Sequence, residues 1–487
     1  MAYLKELLKN VTFICTKGTL NCNVLHLTHD SKEVKPGSMF ICLEGVRSDG
    51  HSYIGEAVQR GARVLLVSKN IFVREDVTVI RVRNTKEAMA YIARDFYGAP
   101  ADSMMMIGIT GTKGKTTTAY MLYRMCLAAG MKTGCIGTLG IMQGDEVFKR
   151  SSNTTPDALS LQKELREMAD AGCECCIMEV SSQGLKHCRV SGISFAIGIF
   201  TNLSPDHIGA GEHRSFGEYA ACKRMLFARS RLALVNADDN YASYMTAGCR
   251  GSVITYGIHK KCDCQAYDIE YQKDERGLAM TYATCGLTAE TLRVTLPGIA
   301  NIYNSLAAWT AGVLIGIPAD IRKDVLAGIQ VKGRIEEVKI SSDFDVIIDY
   351  AHNAESLKTL LLTLRAFKPK RIISVFGCGG NRSLLRRFQM GETAGKLSDV
   401  TILTSDNPRY ESPEKIISDI EEGMKKTNGR YHRIPDRREA IAYAITHALP
   451  GDMIVIAGKG HEEYQEINGQ LYPMNERQMI ESCIRGD

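Results

Sequence analysis

Residues 108 to 118 read GITGTKGKTTT, and this glycine-rich segment constrains the fold and the chemistry of the chain more than any other. It overlaps the end of the apolar run MMMIGIT, so a buried strand is expected to lead into a turn that carries lysine and threonine. In such a turn, backbone N–H groups near Gly111 and Gly114 can surround phosphate oxygens, while Lys115 neutralises charge and the Thr116 hydroxyl binds Mg²⁺. The segment therefore predicts a strand–loop–helix unit that binds ATP.

The spacing of this segment differs by one residue from the general GxxxxGK[ST] pattern, because position 109 is isoleucine. A glycine-rich turn between a strand and a helix can also form without any ligand. The lysine and the three threonines that follow it favour phosphate binding over that purely structural role.

The length, composition and charge of the chain predict a globular protein of several domains. Its 487 residues exceed what one hydrophobic core usually supports, so several domains are expected. Hydrophobic residues make up 45% of the chain and charged residues 24%, which is an ordinary globular balance. The net charge of +5 is too small to favour nucleic acid or a membrane surface as a partner.

The N-terminal segment and the cysteines predict a cytoplasmic protein. Lysines interrupt the N-terminal segment, so it lacks the apolar core of a secretory signal, and no stretch is long enough to cross a bilayer. The 16 cysteines fall mostly in apolar segments such as CECCIMEV, as expected of reduced thiols in a core. A metal site at Cys173, Cys175 and Cys176 is the less favoured alternative, because their spacing lacks the paired CxxC of zinc ligands.

Alternating strand and helix patterns predict an α/β protein of three domains. Residues 1–100 should form a small α/β domain. Residues 101–335 should form a central, P-loop-type ATP-binding domain with a mostly parallel sheet, including a β-rich stretch at about 252–298. Residues 336–487 should form a Rossmann-like domain in which four apolar strands end in polar or glycine-bearing loops. In open parallel sheets, ligands bind beyond such strand ends.

Eight motifs resemble those of the Mur ligase family and follow the family's order, and the resemblance extends from DSKEVKPGSMFICLEG at residues 30 to 45 through the last of them. They are GTKGKTTT, SSNTTPD, MEVSSQGLKHCRV, FTNLSPDHIG, EYAACKRMLF, DYAHN, SDNPRYESP and AGKGHEEYQ. The resemblance implies an ATP-dependent ligase that phosphorylates a carboxylate and joins the resulting acyl phosphate to an amine. Within the family, the motifs are most similar to the branch that extends UDP-N-acetylmuramoyl-L-alanyl-D-glutamate by the third residue of the peptidoglycan stem peptide.

The resemblance also implies roles for individual residues. It places Mg²⁺ at Thr116, Glu179, His207 and Lys223, with the lysine carbamylated so that it becomes an anionic ligand. The implied catalytic residues are Lys115, Glu179, His207 and Lys223. The implied ATP contacts are Gly111, Thr112, Lys113, Gly114, Lys115, Thr116, Thr117, Asn304, Arg334 and Asp349. Taken alone, Lys223 would be interpreted as a solvated helix lysine and Glu179 as an ordinary strand end.

Two further residue sets follow from the resemblance. The UDP-N-acetylmuramoyl-dipeptide is expected to contact Ser31, Thr154, Thr155, Ser181 and Arg189. The incoming amino acid is expected to contact Arg382, Asp406, Asn407, Pro408, Arg409, Gly458 and Glu462. In the family, the DNPR sequence goes with meso-diaminopimelate, whose distal carboxylate would pair with Arg409 while Glu462 faces its ammonium group. Lysine lacks that carboxylate and would leave the Arg409 charge unpaired.

Four positions depart from the usual family motifs: Lys113 replaces a common asparagine, Gln183 a histidine, and Asn381 and Ser383 two aspartates. These departures leave open a related enzyme that uses L-lysine, L-ornithine or another amine, a folylpolyglutamate-type ligase, or a non-catalytic nucleotide-binding scaffold. The retained catalytic residues argue against the scaffold. The expected partners are small-molecule substrates, without nucleic acid or membrane insertion, and the chain is expected to act as a monomer.

Overall fold

Strands and helices alternate along most of the chain, and the sheets that they form are largely parallel, as the sequence predicts. The structure is a computed structural model, and it describes residues 2–45, 48–73, 76–144, 146–149, 153–206, 208–209 and 212–485. Within these ranges, no helix is both long and apolar enough to cross a membrane. The chain divides into a first unit, Met1–Gln265, Cys285–Thr288 and Tyr303–Val325, and a second unit, Ala266–Thr284, Ala289–Ile302 and Leu326–Asp487.

A five-stranded sheet organises the first hundred residues, which belong to the first unit. The elements of this segment are β1 (Ala2–Tyr3), α1 (Leu4–Leu7), β2 (Phe13–Lys17), β3 (Asn23–Val24), β4 (His26–Thr28), β5 (Ser38–Ile41), α2 (Ile54–Gln59), β6 (Ala62–Val67), β7 (Thr78–Val82) and α3 (Thr85–Phe96). The sheet order is β2-β7-β6-β5-β4, and only β2 runs antiparallel to its neighbour. The apolar runs MFICL, RVLLV and VTVIRV are thereby confirmed as strands.

A second sheet leads into the glycine-rich segment at residues 108 to 118. Between residues 105 and 328 the elements are β8 (Met105–Thr110), α4 (Lys115–Ala128), β9 (Thr133–Gly137), β10 (Gly140–Gln143), β11 (Glu146–Lys149), α5 (Ala158–Asp170), β12 (Cys175–Glu179), α6 (Ser182–Lys186), β13 (Phe195–Phe200), α7 (Phe216–Arg224), β14 (Ser230–Asn236), α8 (Ala242–Thr246), β15 (Ser252–Gly257), β16 (Cys264–Asp274), β17 (Gly277–Gly286), β18 (Thr291–Val294), α9 (Ile299–Leu314) and α10 (Ala319–Gly328). The strand order β9-β12-β8-β13-β14-β15-β16 is parallel throughout. β12 lies on one side of β8 in this sheet, and β13, the next strand in the sequence, lies on the other side. The direction in which strands are added therefore reverses at β8, and ligands bind at such switch points in open parallel sheets.

The second unit contains a six-stranded sheet. Its elements are β19 (Glu336–Glu337), β20 (Asp345–Asp349), α11 (Ala354–Arg365), β21 (Arg371–Phe376), α12 (Leu384–Leu397), β22 (Val400–Leu403), α13 (Pro413–Met424), β23 (Arg430–Arg433), α14 (Arg437–Thr446), β24 (Asp452–Ala457), β25 (Tyr464–Ile467), β26 (Gln470–Pro473) and α15 (Glu476–Arg485). The order is β19-β20-β24-β21-β22-β23, parallel except for β19. Four strands therefore end at one edge, where the DYAHN, GCGG, SDNPR and GKGHE loops begin, as predicted.

Both faces of this second-unit sheet are buried. Along β24, Met453 and Val455 pack into one apolar cluster, while Ile454 and Ile456 pack into another on the opposite face. Because both faces are buried, the sequences of these strands are continuous apolar runs and do not alternate apolar with polar residues.

The cysteines of CECCIMEV are buried core residues. Cys173, Cys175 and Cys176 are at most 6% exposed, and all 16 cysteines of the chain are free. Among the described residues, no group of three or more His, Cys, Asp or Glu side chains could hold a metal ion. The alternative of a metal site at these cysteines is therefore not supported.

The single tryptophan of the chain, Trp309, is fully buried on α9 in the first unit. Its indole N–H donates to the hydroxyl oxygen of Thr288 at 3.0 Å, and the guanidinium of Arg322 lies 3.8 Å from the ring centroid. The buried ring therefore has both its polar and its π-face partners within the same unit.

A buried arginine in the second unit makes the stability of the chain depend on pH. Arg387, on α12, pairs at 2.8 Å with the carboxylates of Glu411 and Asp419. The Arg387 guanidinium and the N–H group of Asn381 hold the pKa of Glu411 at about 2, below its ordinary value. Because the folded-state pKa is depressed, this stabilisation is present above the ordinary pKa and is lost as pH falls through the folded-state pKa.

We therefore expect the wild-type chain to lose more unfolding free energy than Glu411→Gln when pH is lowered from about 5 to about 3. Urea unfolding at both pH values measures the difference. The control is Glu422→Gln, because the exposed carboxylate of Glu422 pairs with Lys425 on the surface and should contribute little. An identical pH dependence in Glu411→Gln and the wild type would contradict the expectation.

Candidate active site

The turn between β8 and α4 has the conformation that the glycine-rich sequence predicts. Gly111 has a φ of +154° and Gly114 a φ of +84°, both in the region that favours glycine. A Cβ atom on Gly111 would lie 1.9 Å from Thr201 Oγ1, and one on Gly114 would lie 2.2 Å from Asn304 Oδ1. Only glycine fits at either position, and the turn leads directly into the 14-residue helix α4.

Two lysine ammonium groups meet at this turn. Lys115 Nζ donates to the carbonyl oxygens of Gly111 at 2.9 Å and Thr112 at 3.1 Å, and Lys223 Nζ donates to the same Gly111 oxygen at 2.7 Å. Lys223 is 1% exposed and lies 4.5 Å from the ring centroid of Tyr219. Burial, and then the charge of Lys115, hold the pKa of Lys223 well below its ordinary value. Its interpretation as a solvated helix lysine is wrong.

Glu179 is a buried carboxylate at the end of β12, so it is more than an ordinary solvated strand end. The Thr116 hydroxyl donates to Glu179 Oε2 at 2.9 Å, and the Thr138 N–H group donates to Oε1 at 2.8 Å. A Cβ atom on Gly137 would lie 2.3 Å from Oε1, so the glycine leaves room for the carboxylate. A hydroxyl in contact with a carboxylate is a donor set that Mg²⁺ takes while keeping several waters, so these residues fit the ion. The prediction for His207 falls outside the described residues.

The remaining predicted ATP contacts of the first unit surround the same turn. The Thr112 hydroxyl lies 3.1 Å from the Ser204 carbonyl oxygen and 3.0 Å from the Tyr219 hydroxyl. The Lys113 N–H group donates to Asn202 Oδ1 at 2.9 Å. Two further predicted contacts lie at α4. Thr117 is a buried residue of this helix, and Asn304 Oδ1 accepts a hydrogen bond from the Thr118 hydroxyl at 3.4 Å.

Arg334 and Asp349 lie together in the second unit, at the end of β20. The Asp349 carboxylate accepts the N–H groups of Ile335 and Ala351, each at 2.8 Å. Burial raises the pKa of Asp349, although the nearby Arg334 charge opposes this shift. The Arg334 guanidinium lies 4.9 Å from the ring centroid of Tyr350. The two residues thus form one group of a cation, an anion and an aromatic face.

Four of the residues predicted to bind the dipeptide lie beside Glu179. Thr155 Oγ1 lies 2.9 Å from the Glu179 carbonyl oxygen and 3.1 Å from Ser181 Oγ, and Arg189 Nη1 donates to the Thr155 carbonyl oxygen at 2.6 Å. Thr154 Oγ1 is 3.1 Å from Thr138 Oγ1. These contacts bring Thr154, Thr155, Ser181 and Arg189 together as predicted.

Ser31 is not part of that group. It lies in a 3₁₀ turn, Ser31–Glu33, where its hydroxyl donates to Glu56 Oε2 at 2.7 Å. No hydrogen bond between described residues joins it to the group around Thr155.

The residues predicted to bind the amino acid form one network in the second unit. Asn407 Nδ2 donates to Glu462 Oε2 at 2.9 Å, and the buried Lys459 donates to Asn407 Oδ1, also at 2.9 Å. Gly458 has a φ of +118°, and a Cβ atom there would lie 2.6 Å from Asp406 Oδ2. The DNPR and GKGHE loops therefore approach each other as closely as glycine allows. The buried Pro408 lies between Asn407 and Arg409.

Arg409 and the stem of the Arg382 side chain both lie beside Gly379, at the edge of this network. A Cβ atom on Gly379 would lie 3.0 Å from Arg409 Nη1 and 3.7 Å from Arg382 Cγ. Arg409 Nε donates to Glu466 Oε2 at 2.8 Å. Glu466, Lys459 and Thr138 belong to the site but were not predicted from the sequence. Lys459 lies inside the AGKGHEEYQ motif and Glu466 directly follows it, which was a usable signal, whereas Thr138 lies outside the motifs.

Comparisons with known proteins place this geometry in a family. Three family models match successive parts of the chain: "Mur ligase family, catalytic domain" at residues 23–97, "Mur ligase middle domain" at 109–312 and "Mur ligase, glutamate ligase domain" at 333–460. A relative from Clostridium perfringens, named UDP-N-acetylmuramoyl-L-alanyl-D-glutamate--2,6-diaminopimelate ligase, is 39% identical over 490 residues, 99% of each chain. The chain belongs to the Mur ligase family. It is therefore an enzyme that forms amide bonds.

A further relative and two solved structures support the same family and fold. A protein of the same name from Caldanaerobacter subterraneus subsp. tengcongensis is 40% identical over 482 residues, which cover 99% of this chain and 98% of the relative. A solved structure titled as a UDP-N-acetylmuramoyl-L-alanyl-D-glutamate--2,6-diaminopimelate ligase has 29% identity and a TM-score of 0.71, with 95% of each chain covered. The MurF ligase from Thermotoga maritima, solved in complex with ADP, has 19% identity and a TM-score of 0.61 over 95% of this chain and 97% of the other, so it supports the fold alone. The predicted α/β fold with N-terminal, central and C-terminal domains is confirmed.

Proposed function

We propose that this Mur ligase uses ATP to join meso-2,6-diaminopimelate to the D-glutamyl carboxylate of UDP-N-acetylmuramoyl-L-alanyl-D-glutamate in peptidoglycan synthesis. The observation that carries the choice of amine is the loop that follows β22 at the end of the parallel strands. Arg409 of this loop is held by Glu466, and Asn407 of the same loop donates to Glu462. A cation and an anion in one site match the distal carboxylate and ammonium group of diaminopimelate. The names of the relatives, which act on 2,6-diaminopimelate, support this choice.

The phosphate loop supplies the ATP end of the reaction. We infer that the phosphates bind at the N-terminus of α4, where backbone N–H groups and the Lys115 ammonium face them. Bound Mg²⁺ would supply further neutralisation of phosphate charge at Thr116 and Glu179. Thr112, Lys113, Thr117 and Asn304 would complete the cradle, and Arg334 and Asp349 are proposed to bind the γ-phosphate and the ribose.

Phosphoryl transfer turns a poor electrophile into a good one. The D-glutamyl carboxylate attacks the γ-phosphorus of ATP, which gives an acyl phosphate and ADP. The amine then attacks the acyl carbon, loses a proton and expels phosphate, so one amide bond forms for each ATP consumed. The protein contributes mainly by holding the three reactants in place and by neutralising charge.

Lys223 is proposed to carry a carbamate. Its ammonium group is buried and shares the Gly111 carbonyl oxygen with Lys115. Two cations at one acceptor repel each other. Addition of CO₂ to the neutral amine, with release of a proton, would replace one cation by an anion next to Lys115. A mass increase of the intact chain that disappears in acid would support the modification.

The sugar-peptide substrate is proposed to lie along the first unit. Thr154, Thr155, Ser181 and Arg189 offer hydroxyl groups and one guanidinium to its carboxylate and amide oxygens, and Ser31 is proposed to contact the uridine diphosphate. The domain boundaries 1–100, 101–335 and 336–487 remain predictions, as do a cytoplasmic location and a monomeric state.

Replacing Arg409 with alanine tests the choice of amine. We expect kcat/KM for meso-diaminopimelate to fall roughly 100-fold, the value of a charged hydrogen bond, while use of L-lysine should not fall. The measurement is amine-dependent phosphate release with the dipeptide substrate and a panel of diamino acids. Arg433→Ala is the matched control, because Arg433 forms surface ion pairs with Glu414 and Glu421.

Three outcomes would reject parts of the proposal. Unchanged diaminopimelate use by Arg409→Ala would reject the role of Arg409. A wild-type enzyme that prefers L-lysine or L-ornithine would reject the choice of amine. Absence of amine-dependent release with any amine would favour the nucleotide-binding scaffold.

A further inference from the structure

The hairpin β25–β26 holds the loop that carries Arg409. The Arg409 N–H group donates to the Glu466 carbonyl oxygen at 3.0 Å, and the Asn468 N–H group donates to the Arg409 carbonyl oxygen at 2.8 Å. The Glu466 N–H group donates to Asn407 Oδ1 at 2.9 Å. Glu466 therefore contacts both Asn407 and Arg409, although it lies 57 residues from Arg409 in the sequence.

The conformation of Arg409 requires such support. Its φ is +53°, in the left-handed region that non-glycine residues rarely adopt. Its guanidinium donates from Nε to Glu466 Oε2 and from Nη1 to the Gly380 carbonyl oxygen, each at 2.8 Å. Since a guanidinium has five N–H donors, these two bonds fix its plane and leave Nη2 for a further acceptor.

Glu466 also supplies the counter-charge of Arg409. Its carboxylate lies 2.8 Å from Arg409 Nε, and this attraction stabilises the guanidinium in place. The Arg409 and Glu466 side chains are 23% and 26% exposed, so solvent screens this ion pair only in part.

We propose that Glu466 is a positioning residue that fixes the Arg409 guanidinium for the distal carboxylate of the amine substrate. This inference rests on the proposed function, because it assumes that Arg409 binds that carboxylate. Glu466 occupies the Nε side of the fork and thereby presents the Nη2 side to the substrate. It contributes to the selection of a carboxylate-bearing amine without contacting the substrate itself.

The test compares Glu466→Ala and Glu466→Gln in the full-length enzyme, with meso-diaminopimelate and L-lysine as amines. In Glu466→Ala, KM for diaminopimelate should rise about tenfold with little change in kcat, and the preference for diaminopimelate over lysine should fall by the same factor. In Glu466→Gln, the amide oxygen can still accept from Arg409 Nε, so KM should stay within about threefold of wild type. Glu421→Ala is the control, since Glu421 also pairs with an arginine, Arg433, at 3.0 Å.

The outcomes separate this inference from the function on which it rests. A wild-type enzyme that uses diaminopimelate, with an unchanged KM in Glu466→Ala, would overturn the role of Glu466 alone. Equal losses for both amines, or a fall in kcat without a change in KM, would show a merely structural residue and overturn it as well. A wild-type enzyme that uses lysine but not diaminopimelate would overturn the proposed function and this inference together.

Discussion

Lys115→Ala should lower kcat for amine-dependent phosphate release on the order of a thousandfold, because the phosphates of ATP would lose their nearest fixed cation. Lys115 Nζ is held at the phosphate turn by the carbonyl oxygens of Gly111 and Thr112, so its charge needs no reorganisation during the reaction. Steady-state phosphate release, together with the affinity for ADP measured by calorimetry, would separate the effect on turnover from that on nucleotide binding.

The control for this variant is Lys163→Ala. Lys163 is an exposed lysine on α5 that pairs with Glu167 at 3.9 Å, so its loss should leave kcat unchanged. A Lys115→Ala enzyme that retains more than about a tenth of wild-type kcat would contradict a role for this lysine in charge neutralisation.

Glu476→Ala should have the largest effect on stability, with a loss of about 3–5 kcal/mol of unfolding free energy. Glu476 and Arg437 are both almost fully buried in the second unit, and Arg437 Nε donates to Glu476 Oε1 at 2.7 Å. Removal of the carboxylate leaves a buried guanidinium without its counter-charge. Urea unfolding and hydrogen exchange of the β24 amides, in the same unit, would measure the loss.

The same arginine holds two of the loops that are proposed to bind the amine. Arg437 Nη1 donates to the Ser405 carbonyl oxygen at 3.1 Å, and Nη2 donates to the Ala457 carbonyl oxygen at 2.9 Å. These residues immediately precede Asp406 and Gly458, so we expect Glu476→Ala also to raise KM for the amine.

Two comparisons check this explanation. Glu414→Ala removes an exposed partner of Arg433 and should cost less than about 1 kcal/mol. The double variant Arg437→Met with Glu476→Leu should recover much of the stability, because it leaves no unpaired buried charge. If Glu414→Ala and Glu476→Ala are equally stable, the buried pair is not what holds this region together.

The sequence predicted the parts of the site that depend on local backbone chemistry. Gly111 and Gly114 were recognisable because a phosphate turn requires glycine at positions that a Cβ atom would block. Glu179 was predicted only through the resemblance to the Mur ligase family, because a carboxylate at the end of an apolar strand is ordinary when taken alone.

The parts of the site that depend on contacts between residues far apart in the sequence could not be predicted from local patterns. The burial of Lys223 follows from its approach to Gly111, which is 112 residues away. Glu466 and Arg437 act through Arg409 and Glu476, which lie 57 and 39 residues from them in the sequence. The prediction for His207 stays untested.

One departure from the family motifs has a local explanation. Asn381 stands where aspartate is usual, and its φ of +53° lies in the left-handed region. Asparagine, like the aspartate that it replaces, adopts this conformation more readily than most residues. Its side-chain oxygen also accepts the Tyr410 N–H group at 3.3 Å, which connects the GCGG loop to the loop of Arg409. The change is therefore compatible with an intact amine site.

The enclosed setting of Trp309 gives the enzyme a built-in optical probe. As the sole indole fluorophore, it emits from the first unit only, and its emission should shift to longer wavelength when water reaches the ring. Melting of that unit can thus be followed by light without any label.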